Sequence, residues 1–244
     1  MRQVPAVTTA QMAEVDRAMV EDFGIALVQM MENAGRNLAQ LAREMLGSQA
    51  LGRQVLVLAG AGNNGGGGLV AARHLVNAGA EVEVVLATSP SALQDLPAYQ
   101  LAILQRMGLP ISVHASGRAL PPAHLIVDAL IGYGLQGNPR GSYAQLIRQA
   151  NARGAPILAL DAPSGLDTTT GIAYTPCIRA AATLTLALPK VGLLRETAQA
   201  FVGDLYLADI GVPPLLYRRM GLEASPLFVN GPVRRLHLEE IAYP

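Results

Sequence analysis

The chain has 244 residues, of which 51% are hydrophobic, and it contains no tryptophan and a single cysteine, Cys177. Its 18 basic and 18 acidic residues give a formal net charge of zero, which offers no electrostatic support for a nucleic-acid-binding surface. One cysteine excludes an intramolecular disulfide, and the sequence has neither a signal-peptide pattern nor an apolar run of membrane-spanning length. We therefore expect one domain over residues 1–244, in the cytoplasm, with no nucleic-acid or membrane partner.

Two helices are predicted ahead of the first strand. Residues 8–11 have the pattern of a capping box, and the helix that they begin is predicted to end near residues 23–24. Apolar residues at helical spacing predict a second helix over residues 25–45. Gly35 lies in the middle of this helix, where glycine costs about 1 kcal/mol relative to alanine, so we expect another element to pack closely against it.

The central unit of the chain is a strand, a glycine-rich segment and a helix. Residues 55–59 are a branched apolar run typical of a buried parallel strand, and helical spacing begins at Leu69. The glycines over residues 60–68 predict a loop with unusual backbone dihedrals. Such a loop at a helix start favours a bound anion such as a phosphate, to which Asn63 and Asn64 add amide groups; a tight turn that binds nothing is the alternative.

Two familiar nucleotide sites are disfavoured. The glycine segment has no following lysine, so it is not a P-loop. The next predicted strand, residues 82–87, does not end on the acid that holds a ribose hydroxyl in an ordinary NAD site. An NAD-dependent dehydrogenase is therefore the weakest of the candidate functions.

Strands and helices alternate through the rest of the chain. Helices are predicted at residues 93–107 and 142–152. Strands are predicted at residues 81–87, 111–113, 124–128, 156–160, 182–188 and 205–209. This alternation predicts a mostly parallel sheet with helices on both faces.

Polar side chains follow three of the predicted strands, at Asn64, Asp128 and Asp161. Because ligands bind beyond the carboxyl ends of parallel strands, we expect these loops to converge. Two neighbouring acids repel each other, and one pKa rises unless a cation lies between them. The oxygens of Asn64, Asp128 and Ser164 suit a hard cation, whereas no histidine falls on these loops and a zinc site is unsupported.

Six segments in order form a more specific pattern. They are MENAG at 31–35, GNNGGGGLVAARHL at 62–75, VDALIGYGL at 127–135, LDAPSGLDTTTG at 160–171, TLTLALPKVGLL at 183–194 and GDLYLADIGVP at 203–213. With these segments the chain resembles the YjeF N-terminal domain family, the NAD(P)H-hydrate (NAD(P)HX) epimerases, over nearly its whole length.

The resemblance implies an α/β fold, a Rossmann-like three-layer αβα sandwich with two extra N-terminal helices, in a homodimer. It implies epimerisation of the R and S forms of hydrated NADH or NADPH in nicotinamide nucleotide repair. A separate dehydratase then acts on the S form, and we expect no fused dehydratase domain within residues 1–244.

Site residues follow from the same resemblance. The potassium ligands fall on Asn64, Asp128 and Ser164, and a substrate-contacting acid falls on Asp161. Asp161 is expected to act as general acid/base at the hydrated carbon while Asp128 holds potassium, although the two acids can exchange roles. Lys190 either helps to bind phosphate or is solvated. The substrate-binding residues are expected to be Asn63, Asn64, Gly65, Gly66, Gly67, Gly132, Tyr133, Gly134, Leu135, Gln136, Gly137, Asn138 and Asp161.

One residue departs from the family pattern. Members usually read GNNGGDG in the first loop, and Gly67 stands here at the position of the acid. Loss of a charged hydrogen bond to a ribose hydroxyl weakens binding by about 1.5–3 kcal/mol, whereas loss of a proton-transfer group abolishes activity. The alternative function is a non-catalytic nucleotide-binding or dimerising module with a degenerate site.

Overall fold

The computed structural model describes residues 4–47, 49–224 and 226–242. The helices are α1 (Thr9–Glu21), α2 (Leu27–Met45), α3 (Asn63–Asn77), α4 (Asp95–Arg106), α5 (Gly141–Ala152), α6 (Gln199–Val202) and α7 (Pro214–Arg219). The strands are β1 (Val4–Pro5), β2 (Gln54–Ala59), β3 (Glu81–Leu86), β4 (Ile111–Val113), β5 (Leu125–Ala129), β6 (Ile157–Leu160), β7 (Ala182–Leu186), β8 (Asp204–Ala208), β9 (Val233–Arg235) and β10 (Ile241–Ala242).

The main sheet has eight strands in the order β4-β3-β2-β5-β6-β7-β8-β9. Strands β4 to β8 in this order are parallel, and β9 pairs antiparallel with β8. The mostly parallel α/β sheet predicted from the sequence is confirmed. The strand order reverses direction between β2 and β5, and such a switch point opens a crevice at the carboxyl ends of the strands.

Helices cover both faces of this sheet because each strand is apolar on both sides. Along β2, Val55 and Val57 pack with Leu38 of α2 and Leu69 of α3. Their neighbours Leu56 and Leu58 pack on the opposite face with Leu146 and Ile147 of α5. This period-two division of a continuous apolar strand gives the three-layer arrangement.

Residues 63–68 of the glycine segment are helical, contrary to the loop predicted over residues 60–68, and only residues 60–62 connect β2 to the helix. Helix α3 begins at Asn63, and none of the glycines over residues 60–68 has a positive φ. Glycine is required at these positions because the surrounding atoms leave no room for a side chain. A Cβ at Gly65 would overlap the carbonyl oxygen of Gly60, and one at Gly68 would overlap the Cβ of Ala129. Glycine here brings the start of α3 against the strand ends.

The expected close approach to Gly35 is confirmed. A Cβ at Gly35 would overlap Val70 and lie 2.7 Å from the carbonyl oxygen of Gly67, so α2 lies directly on α3. Glu32 of the same motif accepts hydrogen bonds from Arg73 (2.5 Å) and pairs with His74 (2.8 Å), which joins the two helices again.

The remaining differences are at element ends. The Thr8 capping box is confirmed, since its hydroxyl accepts from the Gln11 N–H and the Gln11 side chain returns to Thr8 N. Helix α5 begins at Gly141 after Arg140, not at the predicted Ser142. Strands β1, β9 and β10 and helices α6 and α7 were not predicted; each has six residues or fewer, which gives a weak periodic signal.

Candidate functional site

A cavity of about 840 Å³ lies at the switch point of the sheet. Its walls are the segments that follow β2, β5 and β6, and its cover comes from α1 and α2. The convergence of strand-end loops predicted from the sequence is therefore present. Nine of the predicted substrate-binding residues line it: Asn63, Asn64, Gly67, Gly132, Tyr133, Gly134, Gln136, Asn138 and Asp161.

The other predicted residues lie behind this lining. Gly65 and Gly66 face protein rather than the cavity, since Cβ atoms there would meet Gly60 and Met31. Leu135 and Gly137 belong to the loop after β5 without lining the cavity. Asp128, the last residue but one of β5, and Ser164, in the loop after β6, are both fully buried and are not part of the lining either.

Two helix N-termini contribute to the wall. Gly62, the N-cap of α3, lines the cavity beside Asn63, and Arg140, the N-cap of α5, lines it on the other side. The free N–H groups and partial positive charge of a helix N-terminus favour anions. Arg140 adds a full positive charge at the cavity edge, which the sequence reasoning missed because it lies beyond the glycine-rich loop.

Asp161 occupies a strained position at the end of β6. It has a φ of 67°, in the left-handed region, and is 3% exposed. Its carboxylate accepts hydrogen bonds from the backbone N–H of Tyr133 (3.3 Å) and Leu186 (3.4 Å) and from the Lys190 ammonium. These donors hold the carboxylate at the cavity wall in an orientation that a relaxed strand end does not give.

Lys190 is fully buried, so the expectation that it is solvated or bound to phosphate is wrong. Its Nζ donates to Asp161 Oδ1, to the carbonyl oxygen of Leu186 (3.0 Å) and to the Thr185 hydroxyl (3.3 Å). All three ammonium protons thus have acceptors. The repulsion expected between two strand-end acids is relieved at Asp161 by this lysine, and a sequence pattern gives no sign of it because Lys190 lies 29 residues away.

Asp128 lacks such a partner. Its Oδ1 accepts from the Ser164 hydroxyl (2.7 Å) and from Leu130 N (3.2 Å), and its Oδ2 accepts from Ser164 N (2.8 Å). Among the described residues, no Lys, Arg or His forms an ion pair with it. Burial raises the pKa of Asp128 to about 6, against the hydrogen bonds that lower it.

The donor set around Asp128 fits a monovalent cation. Asn64 is on the first turn of α3, where a Cβ at Gly132 of the loop after β5 would lie 3.3 Å from its Oδ1, and its buried Nδ2 has no hydrogen-bond partner among the described residues. The Ser164 hydroxyl accepts from Ile131 N at 2.9 Å while it donates to Asp128, which leaves one lone pair of its oxygen free. Carboxylate, amide and hydroxyl oxygens beside an uncompensated buried charge suit a hard cation. Nowhere in the described ranges do three or more His, Cys, Asp and Glu form a group that could hold a metal.

Asp16 of α1 also lines the cavity and was missed by the sequence reasoning. It accepts a hydrogen bond from the Tyr133 hydroxyl at 2.6 Å. Burial raises the pKa of Asp16, while the Tyr133 hydroxyl and Lys190 act in the opposite direction. A carboxylate on the exposed side of an amphipathic helix carries no signal of its own, so only the packing of α1 over the cavity shows its place.

Comparison with known proteins accounts for this arrangement. Residues 27–192 match the family described as YjeF-related protein N-terminus. The chain belongs to this family. The matched range includes β2, β5 and β6 with their strand-end segments, so family membership covers all of the cavity wall except parts of α1 and Ile210.

Relatives of similar length share the family. A Dehalogenimonas lykanthroporepellens protein named NAD(P)H-hydrate epimerase is 43% identical over 97% of this chain and 95% of its own. A Rhodopirellula baltica protein of the same name is 38% identical over 90% of each chain. A Moorella thermoacetica protein named bifunctional NAD(P)H-hydrate repair enzyme is 39% identical, and the match covers 86% of this chain but 41% of that relative.

A solved structure agrees with the fold. The crystal structure of the yeast protein YNL200c matches with a TM-score of 0.81 at 25% sequence identity, over 95% of this chain and 99% of that one. Strand β3 ends on Leu86 and is followed by Ala87 and Thr88, so the end of this strand does not carry the acid that holds a ribose hydroxyl in an ordinary NAD site. Among the described residues, no helix is long and apolar enough to cross a membrane.

Proposed function

We propose that the protein is an NAD(P)H-hydrate epimerase, an isomerase of nicotinamide nucleotide repair that interconverts the R and S forms of hydrated NADH and NADPH. Relatives that match nearly the whole chain carry this name. The observation that carries the proposal is the Asp161–Lys190 pair at the wall of a nucleotide-sized cavity. A scaffold domain has no use for a strained, buried acid that faces an open cavity.

The nucleotide is held by the polar rim of the cavity. Its phosphates lie at the N-terminus of α3, where Gly62 and Asn63 offer backbone N–H groups, with Arg140 as a nearby cation. Packing supports this assignment, because the helical glycines bring α3 close enough to the strand ends for the backbone itself to meet a ligand.

Asp161 moves the proton that accompanies loss and return of the hydroxyl at the hydrated carbon. This carbon carries a hydroxyl and is bonded to the ring nitrogen, so its configuration inverts when the hydroxyl leaves and water returns to the opposite face. Asp161 accepts the proton of the incoming water as a general base, and Lys190 stabilises its charged form. We assign Asp128, which is fully buried and does not line the cavity, to the cation instead.

Potassium is the proposed occupant of the site formed by Asn64, Asp128 and Ser164. When bound, the ion neutralises the buried Asp128 carboxylate and fixes the loops after β5 and β6. The support is the oxygen donor set and the absence of a counter-charge for Asp128 within the described residues. Asn64, on the first turn of α3, would be a further ligand beside Asp128 and Ser164, and a bound cation would supply the positive charge that the buried carboxylate lacks.

In this proposal the protein stays active although Gly67 stands where family members usually have an acid. It lines the cavity, but the acid/base and cation residues are Asp161 and Asp128, and both are kept. The test is conversion of purified R-NADHX to NADH with an S-specific dehydratase in excess, for the wild type and a Gly67→Asp variant. Turnover by the wild type supports the proposal. A silent wild type beside an active Gly67→Asp variant would mean a decayed site, and silence in both would favour a binding module.

The partners follow from the same proposal. In this proposal a separate dehydratase consumes the S form. Two relatives named bifunctional NAD(P)H-hydrate repair enzyme are matched over only 41% and 42% of their own length, which leaves room in them for a second activity. We propose a homodimer in the cytoplasm, where the one cysteine, Cys177, remains a buried thiol. Light scattering of the purified protein tests the dimer directly, and a monomer at micromolar concentration would contradict it.

A further inference from the structure

One carboxylate of the cavity keeps an unused oxygen. Asp16 of α1 lines the cavity, and its Oδ2 accepts a hydrogen bond from the Tyr133 hydroxyl at 2.6 Å. Its Oδ1 has no hydrogen-bond partner among the described residues, and the carboxylate forms no ion pair with any of them. Because a hydroxyl that donates to a carboxyl group favours its charged form, Tyr133 holds Asp16 as an anion with one free acceptor oxygen.

The cavity is divided by polarity. At one end, the N-termini of α3 and α5 bring Gly62 and Arg140 to the wall. The part that α1 and α2 cover is lined by apolar side chains of the core cluster that includes these helices or of residues packed against it, namely Leu27, Met30, Leu186 and Ile210. A mostly apolar recess with a few placed polar groups is typical of a site for a flat ring. The polar end therefore suits the phosphates, and the apolar part suits the nicotinamide ring.

Tyr133 lies between the two acids that face this ring site. Its backbone N–H donates to Asp161 Oδ2 at 3.3 Å, whereas its hydroxyl donates to Asp16. The two carboxylates thus contact opposite ends of one tyrosine and reach the cavity at different positions. In the hydrated nicotinamide, the carboxamide is attached to the ring carbon opposite the hydrated carbon. A ring that places its hydrated carbon at Asp161 can therefore direct its carboxamide to Asp16.

We propose that Asp16 binds the carboxamide of the hydrated nicotinamide ring, with its free Oδ1 accepting a hydrogen bond from the amide NH2 group. This inference rests on the proposed epimerase function, in which Asp161 acts at the hydrated carbon. The two groups are complementary, because an ionised carboxylate only accepts hydrogen bonds and an amide NH2 group only donates them. Asp16 then determines specificity for nucleotides that carry a carboxamide, and it orients the ring toward Asp161.

The ribose hydroxyls are the other donors in this half of the nucleotide, and the lining argues against them. A ribose in the apolar part of the cavity would lie against Leu27, Met30 and Ile210, whose side chains cannot bond its hydroxyls. Burying a hydroxyl without a partner is costly. The ring instead places apolar surface on these side chains, and the carboxamide is its polar substituent on the side away from the hydrated carbon.

The test measures the binding of two purified hydrates by calorimetry. One is the hydrate of NADH, and the other is the hydrate of the reduced 3-acetylpyridine analogue, in which an acetyl group without N–H donors replaces the carboxamide. We expect the wild type to bind the carboxamide nucleotide about 10- to 100-fold more tightly, as follows from one hydrogen bond to a charged group. Asp16→Asn, which puts a donor in place of one acceptor oxygen, should bind both nucleotides about equally.

Two further variants separate this contact from other effects of Asp16. Glu14→Gln is the matched control, because Glu14 lies on the same helix, loses the same charge and does not line the cavity. It should keep the full preference of the wild type. Tyr133→Phe removes the hydrogen bond between α1 and the loop after β5 but leaves the Asp16 carboxylate, so it should keep a preference of several-fold. Loss of the preference in Tyr133→Phe to the level of Asp16→Asn would mean that Asp16 acts only as a clasp, and would overturn the inference.

The binding ratio also separates this inference from the proposed function. A wild type without a preference, or an equal loss of affinity for both nucleotides in Asp16→Asn, would overturn the carboxamide contact, and epimerisation of R-NADHX by the wild type would then still support the enzyme. Binding does not require turnover. A wild type that shows the preference but does not epimerise R-NADHX would contradict the proposed function and leave the contact of Asp16 established.

Discussion

Lys190 and Asp161 form an ion pair in the interior, with the lysine side chain 0% and the aspartate side chain 5% exposed. An ammonium so far from water is stable only because its three protons meet Asp161, Thr185 and Leu186. Buried pairs of this kind add little net stability, but the loss of one partner strands the charge of the other. The pair is therefore better explained by its effect on the cavity-facing carboxylate than by folding.

Lys190→Met should be strongly destabilising, by about 3–5 kcal/mol, because it leaves the Asp161 carboxylate buried without a counter-charge. The double variant Lys190→Met, Asp161→Asn should recover much of this loss, since no buried charge remains, while staying inactive. Chemical denaturation of the single and double variants gives the coupling energy. Additive losses in the double variant would contradict the ion-pair account.

Gly65 and Gly67 should respond differently to alanine although they are two residues apart on α3. A Cβ at Gly65 would overlap the Gly60 carbonyl oxygen, which is backbone, whereas a Cβ at Gly67 would lie 2.8 Å from Cδ2 of Leu160, the end of a flexible side chain. We expect Gly65→Ala to lose about 1–3 kcal/mol or more through overpacking. Gly67→Ala should be close to neutral, because the helix propensity gained, about 1 kcal/mol, offsets the shift of Leu160.

Thermal unfolding of the two variants measures this difference, and the wild type supplies the reference. Equal losses at both positions would mean that the glycines are needed for some reason other than the nearest atoms. The Gly67→Ala result also shows whether Gly67→Asp can fold, because position 67 must tolerate a Cβ before it can hold an aspartate.

Asp128 should make stability depend on pH. Burial raises its pKa from 3.8 to about 6, so the folded protein holds this proton more tightly than the unfolded chain. The resulting stability is fully present below about pH 3.8 and is lost as the pH rises through about 6, a difference on the order of 3 kcal/mol. In potassium-free buffer, Asp128→Asn should lack this part of the pH dependence.

Potassium should reverse the loss where Asp128 is charged. We expect the salt to raise the Tm of the wild type above about pH 6 and to have little effect on Asp128→Asn, because only the ionised carboxylate attracts the ion. Sodium at the same ionic strength is the control for screening. An equal response of the wild type and the variant to potassium would contradict the cation site.

Ser164→Ala should affect both the loop and the cation. The Ser164 hydroxyl donates to Asp128 and accepts from Ile131 N, so its removal leaves a buried N–H and a carboxylate oxygen short of a partner. A loss of about 1–3 kcal/mol follows from those unpaired groups. Ser164→Cys, which keeps a weak donor of similar size, is the matched control. If both variants lose the same stability, the loss is due to the missing hydroxyl oxygen and not to the missing volume.

Much of the fold could be predicted because its signals are local. The strand-end positions of Asp128 and Asp161 follow from apolar runs that stop at a polar residue, and parallel strands bring such ends together. The start of α3 could not be placed at Asn63 in the same way. Glycine is a poor helix former, and only the contacts of Gly65 and Gly68 with neighbouring backbone and Ala129 explain why the helix begins among them.

The missed parts of the candidate site depend on distant pairings. Lys190 follows a strand, where a lysine is normally solvated, and its burial becomes evident only when β7 is placed beside β6. Asp16 lies 117 residues from Tyr133 and has no motif around it that marks a ligand. Spacing in a single sequence cannot show contacts of this range, whereas the order of strands in the sheet determines them.

Epimerisation of purified R-NADHX, followed by separating the R and S forms over time, tests the central claim most directly. The wild type and Asp161→Asn are compared in potassium buffer, with nucleotide binding measured in parallel. The account predicts that the wild type brings both forms to equilibrium, and that Asp161→Asn binds the nucleotide but leaves the R form unchanged beyond the uncatalysed rate. Equal conversion by the variant, or no conversion by the wild type, would contradict it.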